Sequence, residues 1–227
     1  ALMRKRYLIF VLIYFIFSSL SAQNNYQIKD LQIKGMKTIS ESKLRKKMTL
    51  KEKSGLQKLL FWKKADLFYE ADLISDKDLI INYYQKEGFL DVEVEAEVKE
   101  IDKEEAVEIE FVIDEKQAVL IEMINYNLHI AEESDSIITQ SMLTQFIQDM
   151  PLKRASRFRD EDLLLTQKEL GKWLTSLGYA YQEVNYNLNL KKELNLVIIN
   201  FSINTGPICY FGSTNFTGVE DVPNSIL

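Results

Sequence analysis

The feature that most constrains this chain is a pattern that returns after about 90 residues. The alternating apolar run 107–113 recurs as 197–203. Further matched pairs share their residue type: Phe68 and Phe158, Asp72 and Asp162, Gly88 and Gly178. A repeat of this length is long enough to be a small domain, and tandem copies of one domain usually form a binding array. The repeat therefore predicts a modular interaction protein.

The segment 1–22 does not belong to the repeat. Three basic residues at 4–6 precede the apolar run 7–17, and small residues follow up to Ala22. This order is typical of a secretory signal peptide, so we expect cleavage after Ala22 and a mature N-terminus at Gln23. An uncleaved membrane anchor is the alternative, because the run is almost entirely apolar.

Charge and cysteine content narrow the function further. The formal net charge is −6, and three of the 28 basic residues lie in the leader, which contains no acidic residue. Such an acidic body gives no electrostatic reason to bind nucleic acid or anionic lipid. The single cysteine, Cys209, excludes an internal disulfide framework.

Hydrophobic periodicity predicts the same order of elements in both copies: strand, helix, helix, strand, strand. In the first copy the predicted elements are strand 26–34, helices 40–48 and 70–87, and strands 90–99 and 107–113. In the second they are strand 119–127, helices 137–149 and 160–177, and strands 182–190 and 194–204. We expect an α+β fold in which helices cover the apolar sheet face and charged Glu and Lys side chains line the other.

Three motifs carry a resemblance to a known family. They are the opening Ile28-x-x-Leu31-x-Ile33-x-Gly35, the helix end Tyr84-x-x-x-Gly88-Phe89, and the alternating hairpin that follows. Together they resemble polypeptide-transport-associated (POTRA) domains. The opening recurs as Phe211-x-x-Thr214-x-Phe216-x-Gly218, after Gly206-Pro207.

The resemblance implies tandem POTRA-like βααββ domains, each with two helices packed on a three-stranded mixed sheet. The expected domains are 26–115 and 118–205, with an incomplete third at 207–227. Because the chain stops inside that third copy, we expect it to be a piece of a longer protein or a truncated gene product.

The resemblance also implies a function. Such tandem domains are similar to the periplasmic arm of outer-membrane assembly factors of the BamA and TamA kind. The expected partners are unfolded outer-membrane proteins, other assembly subunits and a downstream β-barrel of the same protein, with no nucleic acid. The expected location is the periplasmic face of the outer membrane of a Gram-negative bacterium. No cofactor, metal or catalytic site is expected, and the chain is not predicted to be an enzyme.

Binding is expected at the exposed edge of each sheet, which the resemblance assigns to the second strand. An extended client can pair with an edge strand through its backbone. In the first domain the candidate residues are Val92, Glu93, Val94 and Glu95. In the second they are Gln182, Val184, Asn185, Tyr186, Asn187 and Leu188. The second edge is the better candidate, since the glutamates of the first edge oppose the addition of another strand. The alternative is that both are ordinary edge strands that bind no client.

A basic cluster at Arg154, Arg157 and Arg159 is a candidate contact for a partner, although a solvated approach to a helix is the favoured interpretation. Two other functions stay open. One is a membrane-anchored cell-division scaffold of the FtsQ kind, against which the repeat argues. The other is an enzyme whose catalytic domain lies outside this sequence.

Overall fold

The computed structural model describes residues 26–52, 67–131 except Asp102 and Glu104, and 137–213. The leader 1–22, the segment 53–66 and the third copy beyond Ser213 lie outside the described residues. The chain divides into two compact units: the first contains 26–83 and 91–116, and the second contains 84–90 and 117–213. The domain limits 26–115 and 118–205 stay a prediction. No helix among the described residues is long and apolar enough to cross a membrane.

The first sheet has the order β1-β3-β2. Its strands are β1 (Gln27–Lys34), β2 (Glu93–Ile101) and β3 (Ala106–Asp114), and the helices are α1 (Glu41–Arg45) and α2 (Glu70–Lys86). The central strand β3 pairs in parallel with β1 and antiparallel with β2. Alternation places Val107, Ile109, Phe111 and Ile113 on one face, and all four are buried. The mixed α+β fold is therefore confirmed for this unit.

The second unit repeats this arrangement with the order β4-β6-β5. Its elements are β4 (Leu120–His129), α3 (Gln140–Ile147), α4 (Asp160–Ser176), β5 (Glu183–Lys191) and β6 (Leu196–Asn204). A 3₁₀ turn, Lys192–Leu194, joins β5 to β6. The central strand β6 again pairs in parallel with the first strand and antiparallel with the second. Leucines of α3 and α4 pack on its buried face in one core cluster.

A glycine follows each of the two long helices, α2 and α4, and the sequence predicts this for Gly88. Gly88 and Gly178 have φ of +90° and +95°, a conformation that residues with a side chain rarely adopt. Two tyrosines near these glycines in the sequence, Tyr84 and Tyr179, are fully buried. Helix ends of this kind fix where the chain turns back toward the edge strand.

Several predicted boundaries are wrong. The first helix spans only Glu41–Arg45, because the chain turns at 46–47 and the following amides bind Asp76 instead of continuing the helix. The second strands begin at Glu93 and Glu183. Val92 and Gln182 therefore lie before the edge strands, in the turn that leaves the long helix.

The exposed sheet faces also differ from the prediction. The first sheet has the expected charges, including Glu108 and Glu110 on β3. The second has neutral amides in their place: Asn125, Asn187 and Asn200 lie in one row across the three strands. Asn125 Nδ2 donates to Asn200 Oδ1 at 2.7 Å. Amide groups hydrate the middle of this face, and charge also contributes, because Lys191 Nζ on β5 lies 2.7 Å from Glu122 Oε2 on β4.

Candidate client-binding edge

Both strands predicted to bind clients lie at the edge of their sheet. Within the described residues β2 is bonded only to β3, and β5 only to β6. The registers are equivalent, since Val94 pairs with Ile113 and Val184 with Ile203. The two edges can therefore be compared residue by residue. The equivalent positions are Val94 and Val184, Ala96 and Tyr186, Val98 and Leu188, and Glu97 and Asn187.

The side chains of β5 divide between two chemically different faces. Val184, Tyr186 and Leu188 point to the helix side; Val184 is buried, but Tyr186 and Leu188 keep 37% and 39% of their surface exposed. The Tyr186 ring meets Phe201 edge-on, with 6.2 Å between ring centroids. The intervening residues point to the opposite face as neutral amides: Asn185, Asn187 and Asn189. A strand added here would meet partly exposed apolar groups on one side and amides on the other.

The backbone of β5 has a definite set of outward groups. Gln167 Nε2 on α4 donates to the Val184 carbonyl oxygen at 2.7 Å, so we infer that this carbonyl points away from β6. In an antiparallel pair the N–H and C=O of one residue point to the same side, and the side alternates along the strand. The outward groups therefore belong to Val184, Tyr186, Leu188 and Leu190.

A groove runs between α4 and the start of β5. Its volume is about 620 Å³, and it is lined by Gln167, Lys168, Gly171, Lys172, Thr175, Ser176, Gln182 and Val184. Gly171 is buried in the helix, and the Gln182 side chain covers it closely. A β-carbon at this position would lie 3.0 Å from Gln182 Nε2. The equivalent residues of the first unit are Ile81 and Val92, which have apolar side chains.

The first edge has different chemistry. Val94 is buried, and the next helix-side residues, Ala96 and Val98, are small and half-buried. The opposite face has exposed carboxylates: Glu93, Glu95 and Glu97. Lys116 Nζ lies 2.8 Å from Glu93 and 2.7 Å from Asp114. Hydrogen bonding to Lys116 holds the pKa of Asp114 below its ordinary value. A client strand with acidic side chains would be repelled at this edge.

Two residues of the basic cluster are already engaged within the second unit. Glu87 accepts from Arg157 Nη2 at 2.9 Å and from Arg159 Nε at 3.1 Å. The Arg157 guanidinium also lies 5.2 Å from the centre of the Phe89 ring. Arg154 is exposed in the preceding turn. The role of these three arginines in partner contact stays a prediction, and Arg154 is the one whose side chain extends into solvent.

The two residues that sequence reasoning missed are Gln167 and Gly171. A glycine inside a helix destabilises it by about 1 kcal/mol relative to alanine, so Gly171 was a detectable signal of close packing. Gln167 offered no such signal, since an exposed glutamine is common on any helix. The role of Gln167 depends on β5, which folding brings beside it.

Part of the chain matches a known protein family. The family model for POTRA, the surface antigen variable number repeat, matches residues 26–116. No curated protein matches the chain.

Several solved structures are similar to this chain. BamA POTRA3-5 from Haemophilus influenzae is 18% identical with a TM-score of 0.46, covering 88% of this chain and 74% of its own. Omp85 POTRA1-3 from Anabaena is 14% identical with a TM-score of 0.38, covering 77% and 60%. CdiB from Escherichia coli is 6% identical with a TM-score of 0.35; this chain covers 29% of it, and the match spans 87% of this chain.

The family match extends from the start of β1 to the residues just after β3. It therefore includes all the elements of the first unit. The second unit has the same element order, the same strand order and the same parallel and antiparallel pairings. Residues 26–116 thus match the POTRA family model, and a second unit with the same topology follows them.

Proposed function

We propose that this chain is the periplasmic arm of an outer-membrane β-barrel assembly or translocation factor of a Gram-negative bacterium. The POTRA domain at 26–116 and the second unit of the same topology support this, because tandem small domains suit a binding array. The predicted leader 1–22 would export the chain. Its partners would be unfolded outer-membrane proteins, other assembly subunits and a β-barrel encoded downstream.

The open edge of β5 is the observation that carries this proposal. It combines outward backbone groups with the partly exposed side chains of Tyr186 and Leu188. Backbone pairing binds extended segments of many sequences, and the side chains on either side add selectivity. The sequences of outer-membrane proteins contain many segments in which apolar and polar residues alternate. Such a segment, once extended, fits an edge with one apolar face and one amide face.

The β2 edge of the first unit is the weaker binder in this proposal. Three exposed glutamates on its outer face disfavour close approach of another strand, as charges on natural edge strands commonly do. Its helix-side residues, Ala96 and Val98, also offer less apolar surface than Tyr186 and Leu188. Client strands therefore add to the second unit in preference to the first.

Proline substitution at equivalent edge positions tests this assignment in the full chain. Tyr186→Pro removes an outward N–H and leaves the bonds to β6 in place, whereas Ala96→Pro does the same at the first edge. The probe is a fluorescent ten-residue peptide from a transmembrane strand of a porin, titrated by anisotropy. Tyr186→Pro should weaken binding by up to about tenfold, as expected for the loss of one backbone hydrogen bond. Ala96→Pro should change it less than twofold.

Tyr186→Ala is the matched control, because it removes the same ring but keeps the N–H. It should weaken binding less than Tyr186→Pro does. Hydrogen exchange of peptides from β4–β6 reports whether the second unit stays folded in each variant. Unchanged peptide binding by a folded Tyr186→Pro variant, or a larger effect of Ala96→Pro, would reject strand addition at β5.

A further inference from the structure

One end of the β5 edge is already occupied by a side chain of the same unit. Gln167 is half-buried on α4, and its Nε2 donates to the Val184 carbonyl oxygen at 2.7 Å. This carbonyl belongs to the outward set, together with those of Tyr186, Leu188 and Leu190. A strand that paired along the whole edge would need the same oxygen. It would also need the space that the Gln167 amide fills.

We propose that Gln167 is an edge cap that competes with the client strand for Val184 and so sets the register of binding. The proposal rests on strand addition at β5. With the cap closed, a client pairs with Tyr186, Leu188 and Leu190 only. With the cap open, pairing extends to Val184 and adds hydrogen bonds at that end.

The groove between α4 and β5 can accept the Gln167 side chain when it leaves the Val184 carbonyl. Gly171 lies one helical turn after Gln167 on the same face of α4, and residues four apart on a helix are neighbours. The Gln182 side chain covers Gly171, and the groove of about 620 Å³ that both residues line lies beside the Gln167 amide. A rotation about the Gln167 side-chain bonds therefore moves the amide into the groove without any change in the backbone.

The first unit lacks this arrangement. Lys77 and Ile81 stand at the positions equivalent to Gln167 and Gly171. The first unit thus has a branched apolar side chain at Ile81, where the second unit has none. The cap is thus specific to the unit whose edge is the better candidate for binding.

Two substitutions in the full chain separate the hydrogen bond from the space it occupies. Gln167→Met keeps nearly the same length but has no donor, and Gln167→Ala removes both donor and bulk. The probe is the porin-strand peptide described above. A neutral hydrogen bond contributes about 0.5–1.5 kcal/mol net, which corresponds to peptide binding about two- to twelvefold tighter in both variants. Lys77→Met, at the equivalent position of the first unit, should leave binding unchanged.

Amide hydrogen exchange at Val184 gives a second readout. Saturating peptide should slow exchange of this amide in Gln167→Met but not in the natural chain, because pairing reaches Val184 only when the cap is absent. Tightening in both variants with protection at Val184 supports the cap. Tightening in Gln167→Ala alone makes Gln167 a space-filling group, and unchanged or weaker binding in both removes its role; either result overturns the proposal.

Failure of the cap is distinguishable from failure of strand addition. If Tyr186→Pro weakens binding while the Gln167 variants behave like the natural chain, strand addition stands and the cap is wrong. If Tyr186→Pro has no effect in any background, strand addition itself is wrong, and the cap has no client to compete with.

Discussion

Replacing Asp76 by Asn should destabilise the first unit almost as much as replacing it by Ala. The Asp76 carboxylate is completely buried. Its Oδ1 accepts from the Thr49 amide and its Oδ2 from the Leu50 amide, both at 2.8 Å. An asparagine has one acceptor oxygen, so one of these N–H groups would face the side-chain NH₂ and lose its partner.

The magnitude follows from the number of amides left without an acceptor. A buried unsatisfied N–H costs about 1–3 kcal/mol, and loss of the negative charge weakens the remaining bond by about 1 kcal/mol. We therefore expect Asp76→Asn to lower the free energy of unfolding by about 3 kcal/mol and Asp76→Ala by about 4 kcal/mol. These losses are large for a unit of this size.

Glu115 provides the contrasting case in the same unit. Its Oε1 accepts both backbone contacts, from Lys37 at 2.7 Å and Thr38 at 2.9 Å, and its Oε2 accepts from the Thr38 hydroxyl at 2.7 Å. In Glu115→Gln one oxygen still accepts both amides, and the new NH₂ donates to the hydroxyl, which can also accept. This change should cost about 1 kcal/mol, against about 4 kcal/mol for Glu115→Ala.

Hydrogen exchange measured by mass spectrometry across a urea series resolves the two units, because peptides from β1–β3 and from β4–β6 report separately. Both Asp76 variants should shift the first unit and leave the second unchanged. A free energy of unfolding for Asp76→Asn within about 1 kcal/mol of that of the natural chain would contradict the prediction. Equal losses of this free energy in Glu115→Gln and Glu115→Ala would also contradict it.

Three further predictions concern other parts of the chain. Gly35→Ala should destabilise the first unit by about 3 kcal/mol or more in a urea titration, because its φ is +84° and a β-carbon would lie 2.0 Å from the Ile113 carbonyl oxygen. Burial raises the pKa of Tyr126 to about 12 from 10.0 in the unfolded chain, so the second unit should lose stability between pH 10 and 12. Tyr126→Phe should reduce this loss when urea midpoints are compared across that range. N-terminal sequencing of the exported protein should find Gln23 first; an intact leader would contradict cleavage after Ala22.

Side-chain periodicity explains why much of the fold was predictable. The runs 107–113 and 197–203 alternate in polarity, and a strand with one buried face requires that pattern wherever it lies in the sheet. Gly88 ended its helix as predicted because a left-handed residue is a local requirement. Strand starts were less predictable, since Val92 continues the apolar alternation of β2 although it lies before the strand.

The sequence by itself determined the repeat, the order of elements in each copy, the buried face of each central strand and the difference in charge between the two edges. These properties depend on neighbouring residues and their period. The tertiary structure alone decided that Asp76 and Glu115 are buried acceptors, that Gln167 binds the Val184 carbonyl, and that a groove lies between α4 and the start of β5. Each of those roles needs a partner brought close by folding of the chain, and the partner's position is set by packing that no local pattern encodes.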